Sequence, residues 1–396
     1  EKANTLVISD SGIGMSRDDL VANLGTIARS GSKNFLQQLQ DEGKANADVI
    51  GQFGVGFYSV FMAADKVTVY SRRQGEATGH CWSSRGDGTY ELSEAANVAE
   101  GTKLVIELKA DEGRFARPAM VKANIQKYSN FVSFPIELGG ERVNAVSAIW
   151  TRPTREVTAE EHNEFFRFIA AEYSDPRATL MFQADAPVSI KALFYVPQRH
   201  HEKFGMSRQD PAVSLYSRRV LIEPKSPNLL PPWMRFLKGV VDCEDIPPNI
   251  SRESLQDSSL MNKLSNVLTK RVIKFLKDQA KKESDKYLDF YKEYSHFLKE
   301  GVVSDYVHSG SIAELLRFES TAAGPGELVS LDDYISRMVP KQGEDIYYLL
   351  APSRSSALSS AYLEVLQANK IEVLLLHTAI DDYVMQNLTQ YGGKEL

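Results

Sequence analysis

Residues 51–57 read Gly51-Gln52-Phe53-Gly54-Val55-Gly56-Phe57, a loop whose backbone has to pass close to something. Glycine removes the Cβ and permits positive φ, so successive N–H groups can converge on an anion. Phe57-Tyr58-Ser59-Val60-Phe61-Met62 follows and can start a helix, whose free N–H groups would face the same anion. Upstream, Thr5-Leu6-Val7-Ile8-Ser9-Asp10 is an apolar strand that ends in a carboxylate and runs into Gly12-Ile13-Gly14. An acceptor-only carboxylate there suits the exocyclic amine of adenine, with Gly12 and Gly14 leaving room for the ring. One element for a base and one for phosphates implies a nucleotide site. The Gly-x-x-x-x-Gly-Lys-Ser/Thr pattern does not occur, which excludes a P-loop ATPase, and no dinucleotide fingerprint stands out.

Composition narrows the class. With 396 residues, two or three domains are expected, and a hydrophobic content of 43% supplies more than one core. The net charge of −6 speaks against a nucleic-acid partner. Cys81 and Cys243 stand far apart with no ligand spacing, which fits a reducing compartment. His200-His201 reads as part of a polar loop. No apolar run is long enough for insertion in a membrane, and no targeting segment is visible.

Turn residues separate Val67–Ser71, His80–Ser83, Thr89–Leu92 and Thr102–Leu108, which alternate or run apolar and predict an antiparallel sheet. Glu160–Tyr173 has helical spacing, and Val188–Val196, Val213–Tyr216 and Arg219–Glu223 read as strands. Leu260, Leu264, Leu268, Val272 and Leu276 predict a long amphipathic helix, and Tyr287, Phe290, Tyr291, Tyr294 and Phe297 continue it as a packing stripe. Ile346–Ala351, the helical Ser360–Asn369 and Glu372–His377 form a β-α-β unit with a parallel pair.

Before the long helix, Pro247-Pro248 forces an extended loop carrying Asn249, Arg252 and Gln256. A loop can project a guanidinium out of its own domain, and the Arg fork matches phosphate oxygens. Trp150 is either a buried anchor or part of an exposed amphipathic surface, and the loop Arg199–Pro211 carries Phe204 and Met206 among polar residues.

Asp10-x-Gly12-x-Gly14 and the Gly51–Phe57 loop resemble the second and third nucleotide motifs of the ATPase fold shared by gyrase B, MutL, histidine kinases and the heat-shock protein 90 chaperones. Asn23-Leu24-Gly25-Thr26-Ile27-Ala28-Arg29-Ser30-Gly31-Ser32-Lys33 is similar to the start of the lid in the chaperone branch. Gly239 to Glu253 resembles the catalytic segment of the chaperone middle domain. The resemblance runs along nearly the whole chain and is strongest to the mitochondrial branch.

That resemblance implies an α+β, Bergerat-type ATPase domain over residues 1–128, entered partway along. A middle domain of two α/β subdomains follows, the larger at 129–290 and the smaller at 305–396, joined by a helical linker at 291–304. It implies an ATP-dependent chaperone. ATP would be held by Asp10, Gly12, Gly14, Met15, Asn23, Arg29, Ser30, Gly51, Gln52, Phe53, Gly54, Val55, Gly56, Phe57 and Thr102. Arg252 would touch the γ-phosphate, with Asn249 and Gln256 in support. Mg²⁺ accompanies ATP in the family, but its Asn ligand and the water-activating Glu have no counterpart here, so the chain alone is expected to be inactive. The partners implied are partly folded client proteins and a second copy of the chain. The compartment implied is the mitochondrial matrix, or the cytoplasm for a bacterial protein. The lack of a long charged run near Lys127–Pro135 agrees with an organellar or bacterial relative. A MutL-like DNA mismatch-repair ATPase shares the Asp10 and glycine signals but should lack the Asn249–Arg252 segment. A non-hydrolysing interaction module is the other alternative.

Overall fold

The computed structural model describes residues 4–26, 56–204, 207–246 and 258–396. The chain divides into two compact units. The first comprises Glu1–Ala148, Ser217–Ile222 and Ile246–Leu255, and the second the remainder.

In the first unit five strands form an antiparallel sheet in the order Thr5–Asp10, Gly101–Leu108, Ala64–Arg72, Gly79–Ser84, Glu91–Ala95. The two-residue alternation sends Val67, Val69, Trp82, Ile106 and Leu108 to one face, where they form a buried cluster with Leu20 and Leu24. Those leucines come from the helix Arg17–Leu24, which starts at a capping box between Ser16 and Asp19. Phe57–Met62 forms a 3-10 helix rather than an α-helix. Its Phe57 packs edge-on against Trp82, with ring centres 5.7 Å apart. Burying each large side chain in this cluster stabilises the unit by about 1.5–3 kcal/mol.

In the second unit the strands Ala178–Ala184, Ile190–Val196 and Lys238–Cys243 run antiparallel in that order, and Ala212–Ser217 lies parallel to Lys238–Cys243. The helix Ala159–Ala170, capped by Thr158 and Glu161, lays Phe165 and Phe166 on the sheet against Tyr195. Trp150 is fully buried and donates its indole N–H to Asp242 at 3.1 Å, so it is an anchor and not a surface residue. The side chains of Val272, Phe275 and Leu276 on the long helix Ser258–Lys282 meet Leu180, Phe194 and Phe236, leaving a void of only about 10 Å³. The aromatic stripe lies on the next helix, Ser284–Ser304, and is buried throughout. Beyond it, Tyr348–Leu350 pairs parallel with Leu374–Leu376, with the helices Arg354–Leu358 and Ala361–Ala368 in the connection. A buried ion pair between Lys299 and Asp381, at 2.6 Å, fastens this part to the helix Ser284–Ser304.

Within the Arg199–Pro211 segment, Glu202 and Arg208 are held by charge. Arg235 is buried, donates two hydrogen bonds to Glu202 at 2.8 and 2.9 Å, and donates a third to Glu300 at 2.7 Å. Its guanidinium lies 4.6 Å from the ring centre of Phe297. The hydrogen bonds from Arg235 outweigh burial and hold the Glu202 carboxyl down to about 2, from an ordinary 4.5. Phe204 and Met206 lie outside the residues whose side chains are described.

A folded-state pKa below the unfolded one gives stability that is complete above about pH 4.5 and is lost as pH falls toward 2. Glu202→Gln should therefore flatten the dependence of the unfolding midpoint on pH over that window, while lowering it at neutral pH. Thermal melts of both proteins from pH 2 to 7 check this, and parallel curves would refute it.

Candidate nucleotide site

The predicted base-binding residues meet at one end of the first sheet. Asp10 pairs with Thr102, Thr102 with Ser71, and Ser71 with His80, so a polar row crosses four adjacent strands. The row continues the face that carries Val69, Leu104 and Trp82 one step earlier along each strand. Apolar packing therefore stops where the polar edge begins.

The loop after Asp10 is fastened to the neighbouring strands. Asp10 Oδ1 accepts the Gly12 N–H at 2.9 Å. The Ile13 carbonyl accepts from Gln74 at 2.8 Å. The Met15 N–H donates to Ser71 Oγ at 2.9 Å, and Met15 packs against the core cluster. Asp19, in the cap that follows, also accepts from Arg73 at 2.7 Å. Burial raises its pKa, but the Ser16 hydrogen bonds and the Arg73 charge together outweigh burial and hold it below the usual carboxylate value.

Gly14 has another reason to be glycine than room for a ring. Its φ is +67°, and a Cβ there would lie 2.0 Å from the Arg72 carbonyl oxygen. At Gly101, φ is +101° and a Cβ would meet the Asp10 carbonyl oxygen at 2.2 Å. Backbone approaches this close are open to glycine alone. At Gly12 the nearest atom to an added Cβ is the Asp10 carboxylate itself, at 2.8 Å.

Asp10, Gly12, Gly14, Met15 and Thr102 are thus brought together. Asn23 lies half-buried on the helix Arg17–Leu24. Gly56 and Phe57 begin the 3-10 helix, and Tyr58 donates its hydroxyl to the Leu24 carbonyl at 2.8 Å, tying the two helices. Arg29, Ser30, Gly51, Gln52, Phe53, Gly54, Val55, Asn249, Arg252 and Gln256 lie outside the described residues. Sequence reasoning missed Ser71 and Gly101. The available signal for Ser71 was a hydroxyl at the inward position after Val67 and Val69.

A carboxylate and a hydroxyl on one edge suit an amine-bearing base, so the row fits the adenine end of ATP. Among the described residues, no group of three His, Cys, Asp or Glu side chains is placed to hold a metal ion.

Comparison with known proteins extends the picture. Residues 1–102 match the family described as "Histidine kinase-, DNA gyrase B-, and HSP90-like ATPase", and residues 139–396 match "Hsp90 protein". The chain is 48% identical over 396 residues to "Heat shock protein 75 kDa, mitochondrial" of Bos taurus, covering 99% of this chain and 56% of that protein. It is 46% identical over 399 residues to "Chaperone protein HtpG" of Desulfitobacterium hafniense, covering 100% and 65%. It is 44% identical over 400 residues to "TNF receptor-associated protein 1 homolog, mitochondrial" of Dictyostelium discoideum, covering 100% and 56%. The chain spans between 56% and 65% of the length of these relatives. The segment that distinguishes a chaperone from a mismatch-repair ATPase falls in the Hsp90 match, so the MutL alternative is not favoured.

Gly14→Ala should destabilise the first unit by at least about 2 kcal/mol, because it adds left-handed strain and a backbone clash. Gly12→Ala should cost less, since only the Asp10 side chain has to move. Chemical denaturation followed by Trp82 fluorescence checks the ranking; equal midpoints for Gly14→Ala and wild type would contradict it.

Proposed function

The chain belongs to the heat-shock protein 90 family, and from that premise we propose that the full-length protein is an ATP-dependent molecular chaperone that remodels client proteins as a homodimer. The observation that carries the reading is the Asp10–Thr102 pair at the polar edge of the sheet, held by Met15 and Ser71. Asp10 accepts the adenine amine, and Thr102 lies beside it. The glycine loop Gly51–Val55 and the start of the 3-10 helix at Gly56 and Phe57 offer N–H groups to the phosphates. Asn23, Arg29 and Ser30 belong to the lid. The domains would be the nucleotide unit at 1–128, the larger middle subdomain at 129–290, the linker at 291–304 and the smaller subdomain at 305–396.

Hydrolysis needs charge neutralisation at the γ-phosphate. Arg252 supplies it once lid and domains close, with Asn249 and Gln256 positioning the loop. Mg²⁺ bound with ATP would offset phosphate charge. Both mitochondrial and bacterial relatives support a chaperone role, and we favour the mitochondrial matrix over a bacterial cytoplasm on the 48% match.

Two substitutions in the full-length protein test the reading. Asp10→Asn should abolish ATP binding measured by calorimetry, because an amide brings N–H donors to an edge that must accept. Arg252→Ala should leave ATP affinity unchanged and lower the steady-state rate strongly, by two or more orders of magnitude on the scale of such arginines. Arg252→Lys should recover only part of that rate, since a point charge lacks the fork. A near-normal rate for Arg252→Ala would remove Arg252 from the mechanism. Absence of turnover in the wild type would favour the non-hydrolysing module.

A further inference from the structure

Ser71 is completely buried, and its hydroxyl is at the centre of three contacts. It lies 2.9 Å from the Gly101 carbonyl, 2.9 Å from the Met15 N–H and 3.0 Å from the Thr102 hydroxyl. A serine hydroxyl has one proton to give and two lone pairs to receive. The Gly101 carbonyl can only accept and the Met15 N–H can only donate. The arrangement that satisfies every group sends the Ser71 proton to Gly101 and takes protons from Met15 and from Thr102. Thr102 must then donate toward Ser71, away from Asp10. What Thr102 has left for a ligand is its lone pairs.

We propose that Ser71 is a positioning residue for base selection: by taking the Thr102 proton, it makes the Asp10–Thr102 edge a purely accepting one, which favours adenine over a base with a carbonyl at the same position. The inference rests on the adenine reading of this edge. His80, the other cross-strand neighbour of Ser71, makes no hydrogen bond to the hydroxyl through its buried Nδ1, which has no partner among the described residues. Without the Ser71 oxygen, the Thr102 hydroxyl is free to turn and to donate to a carbonyl. Selectivity should then relax even where the strand itself is intact.

The test compares ATP and ITP, which differ by an amine or a carbonyl at position 6 of the purine, in calorimetric titrations of the full-length protein. Wild type should prefer ATP. Ser71→Ala should lower the ratio of ATP to ITP affinity about ten-fold, the scale of one reoriented hydrogen bond. Ser71→Thr, which keeps the hydroxyl, should retain the wild-type ratio. If Ser71→Ala does not fold, Ser71→Cys gives the same reading, because sulfur is a weak acceptor. A purely structural role would weaken both nucleotides together, so an unchanged ratio in the folded variant overturns the inference and leaves the adenine reading standing. Wild-type protein that binds neither nucleotide overturns the adenine reading and this inference with it.

Discussion

In the first unit three chain segments meet around one buried hydroxyl. Ser71 joins the loop after Asp10, the start of the strand Gly101–Leu108 and its own strand through three hydrogen bonds. A buried hydroxyl with no partner costs about 1–3 kcal/mol, so the contacts have to be complete for the arrangement to persist. Gly14 and Gly101 make it possible, since a side chain on either would collide with the backbone that must pass beside it. The position of Asp10 follows from this. Its strand is placed by pairing with Gly101–Leu108, and its carboxylate is turned by the Gly12 N–H.

The second unit is organised around one central strand. The strand Lys238–Cys243 is buried nearly throughout and held between parallel and antiparallel neighbours. Asp242 is fixed by Trp150, Asp245 accepts the Ser189 N–H, and Lys191 pairs with Glu244 at 2.9 Å. These contacts hold the end of the strand and the residues after it as far as Asp245. In the same unit the buried Arg235 ties Glu202 to Glu300.

Much of this was legible in the residues, for reasons that differ by element. The inward valines and leucines of the first sheet repeat every two residues, so its strands were expected within three residues of where they begin and end. The long helix was legible from its three- and four-residue steps, and the parallel pair from the helix between its strands. The helix Pro118–Tyr128 was missed because none of its residues is buried, so it has no strong apolar stripe. Trp150 was ambiguous because its partner, Asp242, is 92 residues away. The same limit applied to Ser71: a lone hydroxyl on a strand acquires meaning only when register sets it beside Thr102 and Met15. Gly14 was expected as glycine, but its cause is an Arg72 carbonyl that no local pattern announces.

The central claim is that the carboxylate of Asp10 receives the amine of adenine at the polar end of the sheet. It is tested most directly by a crystal structure of the full-length protein with ADP bound. The account predicts the exocyclic amine at hydrogen-bonding distance from Asp10, about 3 Å, with Thr102 Oγ1 on the same edge and the Ser71 contacts unchanged. An adenine ring bound away from Asp10, or a base whose carbonyl faces that carboxylate, would contradict it.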